Sequence, residues 1–379
     1  MDTIRLFYED PHKKEFTATV TGCEETQQGC RITLNATAFY PEGGGQGWDL
    51  GKIGDANVRS VTEEQDIIHL CDKPLPVGEE VFCQIDWPRR FDFMQQHTGE
   101  HILSGILHAR YGAHNVGFHM GAEVTTIDFD VPVPQEDLEE LEILANQAIY
   151  ENIPVHCRYP SAEELETIPY RSKKALLPPV RIVTVGNYDC CACCGVHTAA
   201  TGEVGLIKIL SCIKFHQGVR MEIVCGKRAL KHFGQVYAQG KQAGQVFSAK
   251  VEELGVAARK FSDMLTAEKA RCAALAKQRN QAIASNYVNQ GNVTYFSPDL
   301  TPTDVRELAD AIAETCGGVA AVFNGTQFCL ISKHTDVAPL GNALCHALSG
   351  KGGGKGGAFQ GSLAATKEEI QAFCKEHLC

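Results

Sequence analysis

The chain has 379 residues, enough for about two or three domains, and a formal net charge of −11. That balance excludes a protein that binds nucleic acid through its overall charge, though not one with a local basic patch. The 17 cysteines follow no leader, since Met1-Asp2-Thr3-Ile4-Arg5 has no apolar stretch, and no apolar run reaches the roughly 20 residues that span a bilayer. The expectation is a cytoplasmic protein without membrane contact, its thiols reduced and a few of them drafted to a metal.

Residues 1–88 alternate apolar and polar side chains over short runs, as in Phe16-Thr17-Ala18-Thr19-Val20 and Arg31-Ile32-Thr33-Leu34. Gly and Pro punctuate them, which predicts a small N-terminal β-barrel. Within it Gly43-Gly44-Gly45-Gln46 is bare backbone that can take positive φ and let a ligand approach closely; the plainer reading is a barrel corner. Residues 89–235 predict an α+β core. Residues 90–111 read as a helix, 121–129 as a strand and 135–151 as a helix between Pro134 and Pro154. Residues 180–185 read as a strand leading into a cysteine cluster.

No proline stands between Pro179 and Pro298. Inside that gap Phe247, Val251, Leu254, Ala258, Phe261, Leu265, Glu268, Cys272, Leu275, Arg279 and Ala282 follow a four-three spacing, apolar except at Glu268 and Arg279. Residues 236–290 are therefore expected to form long helices in a coiled coil or helical hairpin. Residues 291–379 predict a small C-terminal α/β domain with strands at 293–296, 319–323 and 328–331. It contains Gly350-Lys351-Gly352-Gly353-Gly354-Lys355-Gly356-Gly357. No Ser or Thr follows Lys355, so this is not a Walker A loop. Lys351 and Lys355 with the bare amides around them could hold a phosphate backbone; the plainer reading is a flexible loop.

Two pairs carry the chemistry. His97 and His101 are four residues apart, which puts both imidazoles on one helix face. Cys193 and His197 repeat that spacing, and the four together make a tetrahedral zinc set, one ion per chain. The plainer reading of either pair alone is a packed histidine. Thr98 stands where a zincin has its glutamate, so a zinc protease is excluded. Cys190 with Cys193, and Cys191 with Cys194, also fit a zinc knuckle or a redox pair.

His97-Thr98-Gly99-Glu100-His101-Ile102-Leu103-Ser104 and Cys193-Cys194-Gly195-Val196-His197 resemble the editing domain shared by alanyl-tRNA synthetases and AlaX proteins. Phe39-Tyr40-Pro41-Glu42-Gly43-Gly44-Gly45-Gln46, Phe118-His119-Met120-Gly121, Thr126-Ile127-Asp128-Phe129-Asp130 and Thr201-Gly202-Glu203-Val204-Gly205 extend the resemblance, in family order, over about residues 1–230. The remainder is similar to the coiled coil and glycine-rich domain of long-form AlaX proteins. The resemblance implies a trans-editing hydrolase that removes serine, and often glycine, from mischarged tRNA-Ala. It implies Cys193 as the sulfur ligand, Thr37 as partner of the serine hydroxyl, and Gln46 beside the water or carbonyl. Gly43, Gly44 and Gly45 would approach the substrate, Lys351 and Lys355 would hold tRNA, and the coiled coil with the C-terminal domain would form a homodimer. Cys194 and Val196 depart from the family's Gly and Thr, which puts one hydrogen bond near the site in doubt. Whether zinc acts as Lewis acid, template or scaffold stays open. The competing reading is a non-catalytic tRNA-binding module with a structural zinc; a complete synthetase is not expected, because the barrel starts at about residue 3.

Overall fold

The computed structural model describes residues 3–172 and 179–378. Met1 and Asp2, part of the stretch read as lacking a leader, lie outside them. The chain divides into two compact units, Met1–Gln239 and Gly240–Cys379. It is a mixed α+β protein, and no described helix is long and apolar enough to cross a membrane.

In the first unit, Glu15–Thr26, Gly29–Leu34, Gly51–Ile53, Ala56–Glu63, Ile67–Cys71 and Glu80–Ile85 close into a six-stranded barrel. Glu15–Thr26 pairs with both Gly29–Leu34 and Glu80–Ile85 and so shuts the ring. Period-two alternation sends Phe16, Ala18, Val20, Ile32, Leu34, Val81, Cys83 and Ile85 into one core. Across the barrel floor, the Arg90 guanidinium is fully buried and pairs with Asp49 while donating to the carbonyls of Pro11 and Ala38.

The helix Trp87–Tyr111 follows the barrel, and nearly its whole middle is buried. It starts three residues before the predicted point because Asp86 caps it, accepting from the Arg89 amide, and Pro88 fits the first turn. Against it lie a four-stranded antiparallel sheet (Asn115–Met120, Thr125–Phe129, Ile207–Phe215, Gly218–Cys225), the helix Leu138–Tyr150, and a three-stranded sheet of Val155–Arg158, Ile182–Val185 and Asp189–Ala192. The predicted strand at 121–129 is in fact the second arm of a hairpin whose first arm is Asn115–Met120.

The helix Gly226–Phe247 runs across the division between the units. Within the second unit, the helix Leu254–Ser285 leaves Val256, Phe261, Met264, Leu265 and Leu275 exposed along most of its length. A five-stranded sheet follows, ordered Gly291–Phe296, Gly317–Phe323, Gln327–Ser332, Ala358–Ser362, Lys351–Lys355. Alternation splits its side chains between two cores: Ala320, Val322, Cys329 and Ile331 pack with the helix Pro302–Cys316, and Ala321, Phe323, Phe328 and Leu330 with Ala338–Ala347 and Lys367–His377. The glycine-lysine stretch is not a loop. Lys351–Lys355 is the exposed edge strand of this sheet, paired antiparallel with Ala358–Ser362.

Candidate metal centre

His97 and His101 project from the Trp87–Tyr111 helix towards the segment that follows strand Asp189–Ala192, where Cys193 and His197 lie. The four donor atoms fall within 4.8 Å of one another. Cys193 Sγ is 3.3 Å from His97 Nε2 and 3.7 Å from His197 Nε2. His101 Nε2 is buried and meets no hydrogen-bond partner among the described residues. Three imidazole nitrogens and one thiol sulfur, convergent and buried, are a donor set that could hold a metal ion.

The far side of each ring fixes its tautomer. Gln46 Oε1 lies 3.0 Å from His97 Nδ1 and also accepts from the Val196 amide at 3.3 Å. The Val196 amide identifies that atom as the amide oxygen, so His97 carries a proton on Nδ1 and turns Nε2 inward. His101 Nδ1 donates to Asp189 Oδ2 at 2.7 Å, and Arg171 grips the same carboxylate through Nε (2.7 Å) and Nη2 (2.9 Å). A histidine held from behind by a carboxylate is the usual support of a metal ligand. Behind His197, Cys157 Sγ lies 4.0 Å from Nδ1.

The loop between Cys193 and His197 is held by its backbone. Arg181 Nη1 donates to the carbonyls of Cys193 (3.0 Å) and Gly195 (2.8 Å), and the Tyr8 hydroxyl to that of Cys194 (2.8 Å). Gly195 must be glycine, because a Cβ there would sit 2.0 Å from His97 Cε1. Thr98, which removes the zincin reading, ties the two ligand segments together: its Oγ1 accepts from the Thr198 amide at 3.0 Å and lies 3.2 Å from the Thr198 hydroxyl.

Charge follows geometry. Burial pushes the Cys193 thiol up, but the surrounding His97, His101 and His197 outweigh it and hold the thiol well below its usual value, as a thiolate. Burial pulls His101 down, yet Asp189 and Cys193 outweigh it and hold the imidazole well above the usual range. Burial leads in pulling His197 the other way, well below it. A cation entering here would take the place of the proton that His101 holds and would be met by a thiolate already formed.

The cluster forms the floor of a cleft of about 540 Å³. Arg5, Tyr8, Gly44, Glu100, Asn115, Phe118, Arg171 and Arg181 contribute to its walls. Gly44 and Gly45 take φ of +60° and +83°, and a Cβ on Gly45 would strike Phe118 at 2.7 Å. Of the other expected residues, Gln46 backs His97 instead of lining this cleft. Thr37 is fully buried, its hydroxyl 2.9 Å from His69 Nε2 and accepting from the Phe39 amide at 3.1 Å. Val196 packs its side chain into the barrel core, and Cys194 is exposed on the cleft wall. Lys351 and Lys355 belong to the second unit. Sequence spacing gave no sign of Asp189, Arg171, Arg181 or Asn115.

The sequence pattern of the threonyl and alanyl tRNA synthetase second additional domain matches residues 180–221, the segment that carries Cys193 and His197. The segment bearing Cys193 and His197 thus belongs to the class of threonyl and alanyl tRNA synthetase second additional domains. Alanyl-tRNA editing protein Aarsd1-A of Xenopus laevis is 31% identical over 356 residues, covering 90% of this chain and 86% of the relative. Alanyl-tRNA editing protein Aarsd1 of Mus musculus is 28% identical over 98% of both chains. Alanine--tRNA ligase of Ignicoccus hospitalis is 31% identical over 93% of this chain but only 40% of the ligase. The chain belongs to the family of free-standing alanyl-tRNA editing proteins of the AlaX type.

Proposed function

We propose that this protein is an aminoacyl-tRNA deacylase that hydrolyses Ser-tRNA-Ala, and Gly-tRNA-Ala with it, and spares Ala-tRNA-Ala. The observation that supports it most is a convergent three-histidine, one-thiolate floor under an open cleft, in a chain that aligns along nearly its full length with alanyl-tRNA editing proteins. The ion is zinc, one per chain, held by His97, His101, Cys193 and His197, because imidazole and thiolate in tetrahedral number suit it. Bound there, zinc supplies a positive centre that can polarise or place a reacting group.

The chain's own residues prepare the site. Gln46 and Asp189 orient His97 and His101; burial pushes the Asp189 carboxyl up, but His101 and then Arg171 outweigh it and keep it ionised. Gly43, Gly44 and Gly45 let the acceptor end of the tRNA come close to the floor. An ester to a ribose hydroxyl is already activated, so placement of water and carbonyl matters more than a covalent nucleophile. Thr37 enters as a support of the barrel wall; it donates to His69 and accepts from Phe39, which leaves one lone pair for any serine hydroxyl. The working division is a barrel (1–88), an editing core (89–235), coiled-coil helices (236–290) and a C-terminal domain (291–379). The exposed apolar side chains of Leu254–Ser285 pair with a second copy, and Lys351 and Lys355 hold tRNA phosphates.

Hydrolysis of Ser-, Gly- and Ala-tRNA-Ala measured side by side tests the reading. Rapid loss of the first two with the third intact is expected; equal rates on Ser- and Ala-tRNA-Ala would end it. Replacing Lys351 and Lys355 by Ala should flatten the salt dependence of tRNA binding by about one to two units of slope.

A further inference from the structure

Glu100 and Asn115 stand on the wall of the same cleft, next to His101. They are 5% and 4% exposed. The Ser104 hydroxyl donates to Glu100 Oε1 at 2.6 Å, and Asn115 Nδ2 donates to the same oxygen. The second bond fixes the Asn115 amide, because a carboxylate only accepts: the NH2 must face Glu100 and Oδ1 must turn away. Asn115 Oδ1 is buried and has no hydrogen-bond partner among the described residues. A buried amide oxygen without a donor is costly, so this one is suited to accept from a group bound in the cleft. Glu100 Oε2 lies 4.0 Å from His101 Nε2, at the edge of the cluster. Both residues thus bring an acceptor to this wall, a carboxylate and an amide oxygen.

An aminoacyl ester brings one group that matches. Its α-ammonium has three N–H donors, no acceptor and a positive charge, and it is two bonds from the ester carbonyl carbon. A serine hydroxyl is neutral and gains less from a carboxylate. We infer that Glu100 and Asn115 bind the α-ammonium of the aminoacyl ester, an inference that rests on the editing reading above. Anchored there, the amino group holds the adjacent carbonyl over the histidine-cysteine floor. Serine, glycine and alanine share this handle, so it does not choose among them. It selects free aminoacyl esters over N-acylated ones: a peptidyl-tRNA has no ammonium beside the ester and offers the wall one neutral N–H there.

Two ester pairs test this: Ser-tRNA-Ala against the same ester with hydroxyl in place of the amino group, and Gly-tRNA-Ala against its hydroxy counterpart. Each rate is divided by the spontaneous hydrolysis of that ester. In the wild type the hydroxy esters should react at least about tenfold more slowly, the scale of a lost charge-assisted hydrogen bond. Asn115→Ala and Glu100→Gln should slow Ser and Gly esters alike and bring the amino-to-hydroxy ratio near one, with metal content unchanged. Equal wild-type rates on amino and hydroxy esters overturn the inference. So does an Asn115→Ala variant that slows the serine ester and spares the glycine ester, which assigns the oxygen to the serine hydroxyl. Metal lost in Glu100→Gln with the ratio intact in both variants overturns it too. The editing reading fails separately, if wild type does not prefer Ser- over Ala-tRNA-Ala. Even then, binding of a non-hydrolysable 3′-seryl amide of adenosine, compared with its hydroxy analogue, reads the ammonium preference without turnover.

Discussion

The first unit buries two histidine networks, and they end differently. In the barrel, His69 Nδ1 donates to the Ile32 carbonyl at 3.0 Å, and Nε2 accepts from the Thr37 hydroxyl at 2.9 Å. Both nitrogens are used, and burial pulls the ring down to about 4, so it is neutral. At the cleft floor, His97 and His101 also spend Nδ1 on a partner behind them, but their Nε2 atoms turn inward with Cys193 and His197. Burial and residue type are alike in the two places. What separates a structural histidine from a metal ligand is a nitrogen left over after the protein's own bonds are counted.

The largest effect should come from removing the sulfur. Cys193→Ala takes away the thiolate at the centre of the set, and we expect it to abolish stoichiometric metal and lower Ser-tRNA-Ala hydrolysis by about 100-fold or more. Elemental analysis with a single-turnover assay checks it; full metal retention would move the sulfur role to Cys191 or Cys194. Next is Asp189→Asn, which leaves all four ligands but weakens the grip on His101. Competition with a chelator should show metal affinity lower by about 10–100-fold.

Thr37→Val probes the satisfied network. It strips the donor from His69 Nε2, at a cost of about 1–3 kcal/mol in stability by denaturant titration. Ser- and Gly-tRNA-Ala hydrolysis should fall together. A loss confined to serine would break the comparison and restore Thr37 as the reader of the hydroxyl, as the family resemblance implies.

The smallest effect is a pH dependence. His69 is depressed in the folded protein from about 6.5 to about 4. Between those values the unfolded chain binds the proton and the folded one does not, so stability is present above about 6.5 and is lost as pH falls towards 4. This group alone should contribute about 2 kcal/mol of loss between pH 7 and pH 5. His69→Gln should remove that part of the slope; an unchanged slope would mean the ring is not held neutral.

The histidine-cysteine cluster was legible because helix spacing is a local property. His97 and His101 announce a shared face from four residues, as do Cys193 and His197. Their supports were not, because they come from far along the chain: Asp189 lies 88 residues from His101, and Gln46, which the family motif marks for another role, lies 51 from His97. Asp189 falls between the predicted strand at 180–185 and the cysteine cluster, where no motif marks it. The barrel was legible through period-two alternation at Phe16, Ala18 and Val20. Lys351–Lys355 was not, since glycines carry no side chain to alternate, and the strand appears only through its pairing with Ala358–Ser362. Thr37 was placed by family motif; its partner His69 lies on a neighbouring part of the barrel that no motif marks.

The most direct test of the central claim is X-ray absorption at the zinc edge on the zinc-loaded protein. The account predicts three nitrogen scatterers at about 2.0–2.1 Å and one sulfur at about 2.3 Å, with the sulfur lost in Cys193→Ala. Two or more sulfurs in the wild type, or a sulfur shell that survives Cys193→Ala, would contradict it.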